Sequence, residues 1–414
     1  MQISGYIKGS YVMNDIYYEL INYIEEKPVI NTHSHHMKDD FFEGFNLGRL
    51  IDMTYVGKMW TGLSFDETYI SRKEFLDKVR YKSDFTWLQI ALQKLYATDE
   101  TLTADNWDKF SHNIEVVYKD KHTHIKILKN QCHYEKVILD AYWEPGSDNS
   151  YKDFFTPTFR VNMFGFGYSR EARDHNGNNA LVKYGKHIDN IDDYISFMRK
   201  CIIEKKRDGC ISLKCAIPYE RGLDIEQVSK EKVQCVFKKS KECITKEEIK
   251  SFQDYVLFQI CEIAAELDMP MQWHVGLGKL KRTNGMWMYD IIDKNPSTKF
   301  VLFHGGYPWM DDVAGLLHYF KNVYCDICWL PIISTSSAER MLCELIEVGT
   351  SDKLCWGCDT CTSEESYGAV LAARHVVANV LAGKVEDGFF SINDAQYFAD
   401  NILHNNAKNL YKMK

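Results

Sequence analysis

The sequence predicts a (β/α)8 TIM barrel with a helical insertion after its first strand, and three observations carry that prediction. Eight apolar, β-rich runs alternate with helical patterns along the 414 residues, the signature of repeated βα units around a parallel sheet. The first run, PVINTH, leads into THSHHM, where a doubly wound sheet would carry a Gly-rich phosphate turn. Residues 38–135 are too long for one βα connection and read as helices throughout.

After the opening strand the expected strands are KVILDAYW (136–143), FRVNMFGFGY (159–168), GCISLKCAI (209–217), PMQWHVG (270–276), KFVLFHG (299–305), NVYCDICWL (322–330) and KLCWGCD (353–359). Helical patterns separate them. IDDYISFMRKCIIEKKRDG follows the third strand, and TKEEIKSFQDYVLFQICEIAAELD follows the fourth with Thr245 and Glu248 in capping-box register. SSAERMLCELIEVG stops at Gly349, and ESYGAVLAARHVVANVLAGK follows the last strand. In the insertion, Phe75, Trp87, Leu88, Leu92 and Leu95 are spaced for a buried helix face. One domain over residues 1–414, with 38–135 inserted in it, is the expected organisation.

Lys and Arg number 50 against 58 Asp and Glu, a net charge of −8 with no basic block, so a nucleic-acid partner is not expected. The first residues lack a signal-peptide pattern, and no apolar run approaches the ~18 residues needed to span a bilayer. A soluble, cytoplasmic protein without a membrane partner is the expectation, and a homo-oligomer stays open. The thirteen cysteines are spread through apolar strands and helices and read as reduced core residues. Cys355 and Cys358 form a Cys-x-x-Cys, but no second pair at zinc-finger spacing accompanies them.

Barrels of this type place chemistry at the carboxyl ends of their strands. His33 and His35 stand at the end of the first strand, and residues two apart on a strand share a side, so both can meet one ion. Lys214 falls near the end of the fourth strand, His274 of the fifth, His304 of the sixth and Asp359 of the eighth. Any one of these is an ordinary turn former or satisfied interior residue. Coincidence over five strands points instead to a divalent metal centre, since imidazoles with a carboxylate are ligands preferred by zinc and related ions. His36 should face away from that centre as a supporting or structural residue. His122, His124 and His133 are expected to be solvated. Trp143, Trp273, Trp309 and Trp329 either line a pocket or pack in the core.

These strand ends resemble the amidohydrolase superfamily, and more narrowly its amidohydrolase-related family 2. The segments that carry the likeness are SLKCAIPYERGLDI, MQWHVGLG, FVLFHGGYPW, NVYCDICWL and the closing NNAKNLYKM, besides the His-x-His. The resemblance implies that His33, His35 and Asp359 bind one ion, with Asp359 also carrying a proton. It implies that His274 and His304 either hold a second ion or, in one-metal members, that His274 stays a ligand while His304 polarises the substrate. Lys214 matches a lysine that in many members is carboxylated and bridges two metals. It could equally be an ammonium gripping a substrate carboxylate, with Arg221 as a further anion contact or a surface salt bridge.

The expected activity is metal-dependent hydrolysis of an amide or ester-type bond in a small molecule, with zinc as the expected metal. The alternative is a non-oxidative decarboxylase or uronate-isomerase-like enzyme of the same superfamily. A barrel that has lost catalysis and serves as a binding partner has no physical need for all five of His33, His35, His274, His304 and Asp359.

Overall fold

The computed structural model describes residues 15–239 and 241–413. Eight strands run β1 (Val29–Ser34), β2 (Tyr134–Leu139), β3 (Phe155–Arg160), β4 (Ser212–Cys215), β5 (Met271–Trp273), β6 (Phe300–Phe303), β7 (Val323–Asp326) and β8 (Leu354–Cys355). They pair in sequence order, every neighbour parallel. β8 is too short to form a ladder with β1, and the ring is drawn together by single backbone bonds. Thr32 N–H donates to Trp356 C=O at 3.3 Å, Asp359 N–H to His33 C=O at 2.9 Å and His35 N–H to Thr360 C=O at 2.9 Å. The expected TIM barrel is borne out as a nearly closed one.

Several strands end earlier than the apolar runs suggest. β2 stops at Leu139, where its ladder with β1 ends in the bond from Asp140 N–H to Ser34 C=O at 2.9 Å. The third run contains a strand that begins at Phe155, ahead of the expected start, and its later part, Asn162–Phe166, is a buried 3-10 turn. In the eighth, 356–359 lies outside any strand and bonds to β1 through single backbone contacts. Hydrophobicity marks burial, and here burial continues past the last ladder bond into the loops.

Between β1 and β2 lie the helices Leu47–Asp52, Lys58–Thr61, Tyr69–Val79, Ser83–Leu95, Trp107–Val117 and Thr123–Asn130. They enclose an apolar cluster of their own, in which Phe75, Leu88 and Leu92 meet Phe42, Leu50, Trp107 and Phe110. Trp87, on the other side of Ser83–Leu95, packs into the barrel's cluster. One helix, Ser363–Glu386, is long and apolar enough to cross a membrane, contrary to the expectation from the sequence. Most of its residues are buried within the protein, between the N-terminal helix Asp15–Glu25, Ser83–Leu95 and Thr335–Val348. Its apolarity is that of a core helix contacted on several faces.

His124 corrects another expectation, for it is fully buried rather than solvated. Phe42 stacks on its ring at 4.2 Å, and His36 meets it edge-on at 5.0 Å. Neither nitrogen of His124 has a hydrogen-bond partner among the described residues. Burial, reinforced by His36, holds the His124 imidazole well below its ordinary range. Burial likewise pushes His36 down to about 3 against its contact with the Cys361 backbone. Both rings therefore stay neutral in the fold and gain protons on unfolding below about pH 6.5. Their contribution to stability is complete above that pH and is lost as the pH falls toward the folded values. Between pH 6.5 and 5, His36 alone accounts for about 2 kcal/mol. His124→Phe should therefore lose less stability between pH 7 and pH 5 than the unaltered protein, read from urea midpoints. An identical loss in both proteins would contradict this account.

Candidate active site

β1 delivers His33 and His35 to the carboxyl end of the barrel, and their tautomers follow from their partners. Gln272, on β5, donates through Nε2 to Thr32 C=O at 3.0 Å and to the Tyr411 hydroxyl at 3.1 Å. Its Oε1 is thereby left as an acceptor, 3.2 Å from His33 Nδ1, which must carry the proton. His35 Nδ1 donates to the Asp140 C=O at 2.7 Å. Each neutral ring then presents an unprotonated Nε2.

Those two lone pairs point at carboxylate oxygens. His35 Nε2 lies 3.0 Å and His33 Nε2 3.5 Å from Asp359 Oδ1, and His33 Nε2 lies 3.7 Å from Asp140 Oδ2. His33 Nε2 has no hydrogen-bond partner among the described residues. Burial, followed by the positive fields of Lys214, His35 and Arg160, keeps His33 neutral well below its usual range. Burial opposes ionisation of Asp359, yet its neighbours His35, His304 and Lys214 outweigh it and lower its pKa. Lone pairs this close repel one another unless a cation sits among them, so His33, His35 and Asp359 fit a divalent ion. His33, His35 and Asp140 form one compact donor group, and His304, Cys328 and Asp359 another.

The remaining expected residues reach the same mouth in different postures. His274 Nε2 bonds the Leu277 C=O and must donate, so its Nδ1 accepts from His304 Nε2 at 2.9 Å. His304 Nδ1 faces Cys328 C=O at 3.1 Å and Asp359 Oδ2 at 3.9 Å. A neutral pair holds two protons for three positions that each face an acceptor, so it can take up a proton without breaking a contact. Burial is the main cost of that proton and pushes His304 down to about 4, although Asp359 favours the charged form. Lys214 is buried, with Nζ 3.9 Å over the Phe303 ring and no hydrogen bond among the described residues. Burial brings its pKa down to about 8.

Three residues around the site carry positive φ without being glycine, namely His304 (65°), Trp329 (66°) and Asp359 (58°). Such backbone costs of order 1–3 kcal/mol each and persists where surrounding contacts over-determine it. Trp329 lies 5.2 Å from His304 by ring centroids, whereas Trp273 is core. Arg221 stands outside this cavity as a salt-bridging residue, its Nη1 2.7 Å from Asp254 Oδ1. Cys355 and Cys358 are buried free thiols.

Sequence reasoning missed Asp140, Arg160, Gln272 and Tyr55. Asp140 and Arg160 follow or end β2 and β3, where the same strand-end reading would have marked them. Arg160 clasps Asp140 through Nη2 at 2.5 Å and Nε at 3.0 Å, both groups buried. Tyr55, from the insertion, donates its hydroxyl to Asp359 C=O at 2.5 Å and left no local signal. His33, His35, His274, Lys214, Arg160 and Asp359 line one cavity of about 480 Å³, walled on the insertion side by Met53, Tyr55 and Trp60.

The parallel barrel thus carries at its carboxyl mouth a His-x-His and an aspartate whose donor atoms fit a divalent ion. Residues 247–413 match the Amidohydrolase family model, which bears out the superfamily resemblance of the strand ends. The uronate isomerase of Thermotoga maritima has a similar fold, with a TM-score of 0.78 and 16% identity over 96% of this chain and 97% of that one. The glucuronate isomerase of Caulobacter crescentus gives 0.75 and 14% over 96% and 94%. A proposed metal-dependent hydrolase of Lactobacillus casei gives 0.71 and 17% over 95% and 97%. Protein fluG of Emericella nidulans is 26% identical over 221 residues, 49% of this chain. The match spans about a quarter (26%) of that curated relative's length.

His33→Ala and His35→Ala should each lose the bound divalent metal, and Gln272→Leu should weaken metal binding about 10–100-fold by freeing the His33 ring. Metal analysis after dialysis measures both, and full occupancy in His33→Ala would overturn the ligand set. Arg160→Met should cost about 3–5 kcal/mol of unfolding free energy, because Asp140 is left as an unpaired buried charge. An unchanged denaturation midpoint would contradict that.

Proposed function

We propose that this chain is a metal-dependent hydrolase of an amide or ester-type bond in a small, carboxylate-bearing molecule. The observation that carries the reading is the convergence of two unprotonated imidazole nitrogens and the ionised Asp359 at the base of a cavity that also contains an unpartnered lysine amine. An ion held there, with zinc the metal these donors suit, supplies Lewis acidity and lowers the pKa of water to about 7.

The chain's own groups have separate tasks. Asp359, with Oδ1 toward His33 and His35 and Oδ2 toward His304, accepts a proton from the attacking water and returns it to the leaving group. His304 stands beside it as a second proton acceptor, and becomes a polarising donor once it has taken up that proton. His274 and His304 spend their facing nitrogens on each other, which supports one ion rather than two. Lys214 then remains an amine rather than a carboxylated bridge, and grips the substrate carboxylate.

Isomerisation of a sugar acid is the second reading, favoured by the whole-chain likeness to uronate isomerases and by two cationic groups, Arg160 and Lys214, in the cavity. Water labelled with 18O separates them once a panel of amides, lactones and sugar acids has given a substrate. Hydrolysis places the label in the new carboxyl group, whereas isomerisation leaves the oxygen count unchanged and exchanges a carbon-bound hydrogen with deuterated water. Asp359→Asn should lower kcat at least ~100-fold under either reading while metal stays measurable. Unimpaired turnover by that variant would remove Asp359 from the chemistry.

A further inference from the structure

The cavity has a second polar wall that the ion-centred chemistry leaves unused. Glu365, at the start of the helix Ser363–Glu386, lines the same cavity as His35 and Asp359 and is only 4% exposed. Its Oε1 accepts the Tyr55 N–H at 2.8 Å. It forms no ion pair and no other hydrogen bond among the described residues. Burial, opposed by the Tyr55 N–H and reinforced by Asp84 and Asp359, pushes its carboxyl well above the usual range. Cys361, in the adjoining loop, adds no positive charge, and Asp52 at the rim is a further acid. The charged groups that act on Glu365 at close range, Asp84 and Asp359, are thus of its own sign.

Anchoring Tyr55 does not explain this arrangement. A glutamine would accept the same N–H without the cost of burying an acid that has no counter-charge. The placement of the cations suggests what does. Lys214 ends β4, while Glu365 belongs to the helix that follows β8. Those strands are four apart in a ring of eight, so they stand on opposite sides of the mouth.

We infer that Glu365 receives an amine, so that the cavity selects small molecules with a carboxylate for Lys214 and an ammonium group for Glu365. The carboxylate half rests on the reading of Lys214 given above. On binding, the Glu365 carboxyl gives its proton to solvent and the resulting carboxylate pairs with the ammonium, so binding releases protons.

Calorimetric titration of the metal-loaded protein at pH 7 tests this with 6-aminohexanoate and hexanoate, each in two buffers of different ionisation enthalpy. The amino acid should bind about tenfold more tightly and show a buffer-dependent heat of proton release. Glu365→Gln should remove both differences while hexanoate binds as before. Equal affinities in the unaltered protein, or a heat independent of buffer, overturn the inference without reference to any variant. Hexylamine separates it from the Lys214 reading. It should bind unaltered protein and fail with Glu365→Gln, whereas Lys214→Met should weaken hexanoate and 6-aminohexanoate and leave hexylamine unchanged. Hexylamine binding equally to both overturns the Glu365 assignment, and hexanoate binding unchanged in Lys214→Met overturns only the carboxylate reading.

Discussion

The site depends on the seam where the chain after β8 meets β1. The bond from Asp359 N–H to His33 C=O at 2.9 Å closes the ring and sets the aspartate beside both imidazoles. Gly357 permits the approach, because a Cβ there would lie 2.7 Å from the His33 nitrogen and 2.7 Å from Thr32 Oγ1. Asp359 adopts φ 58° to make the turn, a conformation that costs an ordinary residue about 1–2 kcal/mol. Backbone bonds on both sides, Asp359 to His33 and His35 to Thr360, hold it there. Ring closure and assembly of the donor set are therefore one event in this fold.

Burial then decides the electrostatics. His33, Asp140, Arg160 and Lys214 lie within a water-poor interior, where a charge persists only beside a partner. Asp140 has Arg160, and Asp359 has the fields of His35, His304 and Lys214. His33 has no anion whose pull exceeds the cost of burial and stays neutral, which is the state a ligand needs. The same low polarity that keeps this imidazole unprotonated brings the Lys214 amine down to about 8, where a modest field shifts its charge.

The insertion is joined to this chemistry through Tyr55. Its hydroxyl bonds the carbonyl of Asp359 and its N–H bonds Glu365, so a segment with its own apolar cluster is fastened at two points to the barrel's mouth. Met53 and Trp60 come with it and form the wall that faces the histidines. Movement of the segment would alter the position of the Asp359 backbone and the shape of the cavity together.

The sequence by itself determined the parallel barrel, the long helical excursion after β1, and the strand-end positions of His33, His35, Lys214, His274, His304 and Asp359. These follow from local pattern, because period-two alternation and strand order place a residue on a rim regardless of its distant neighbours. Tertiary structure alone decided which nitrogen of each ring is free, since that rests on Gln272 at 239 residues' separation from His33 and on the Asp140 carbonyl. It also decided that His274 and His304 engage each other, that Arg160 neutralises Asp140, and that His124 is buried in an aromatic cage. Pairings of this kind depend on side-chain packing across the closed ring, and no periodicity along the chain encodes them.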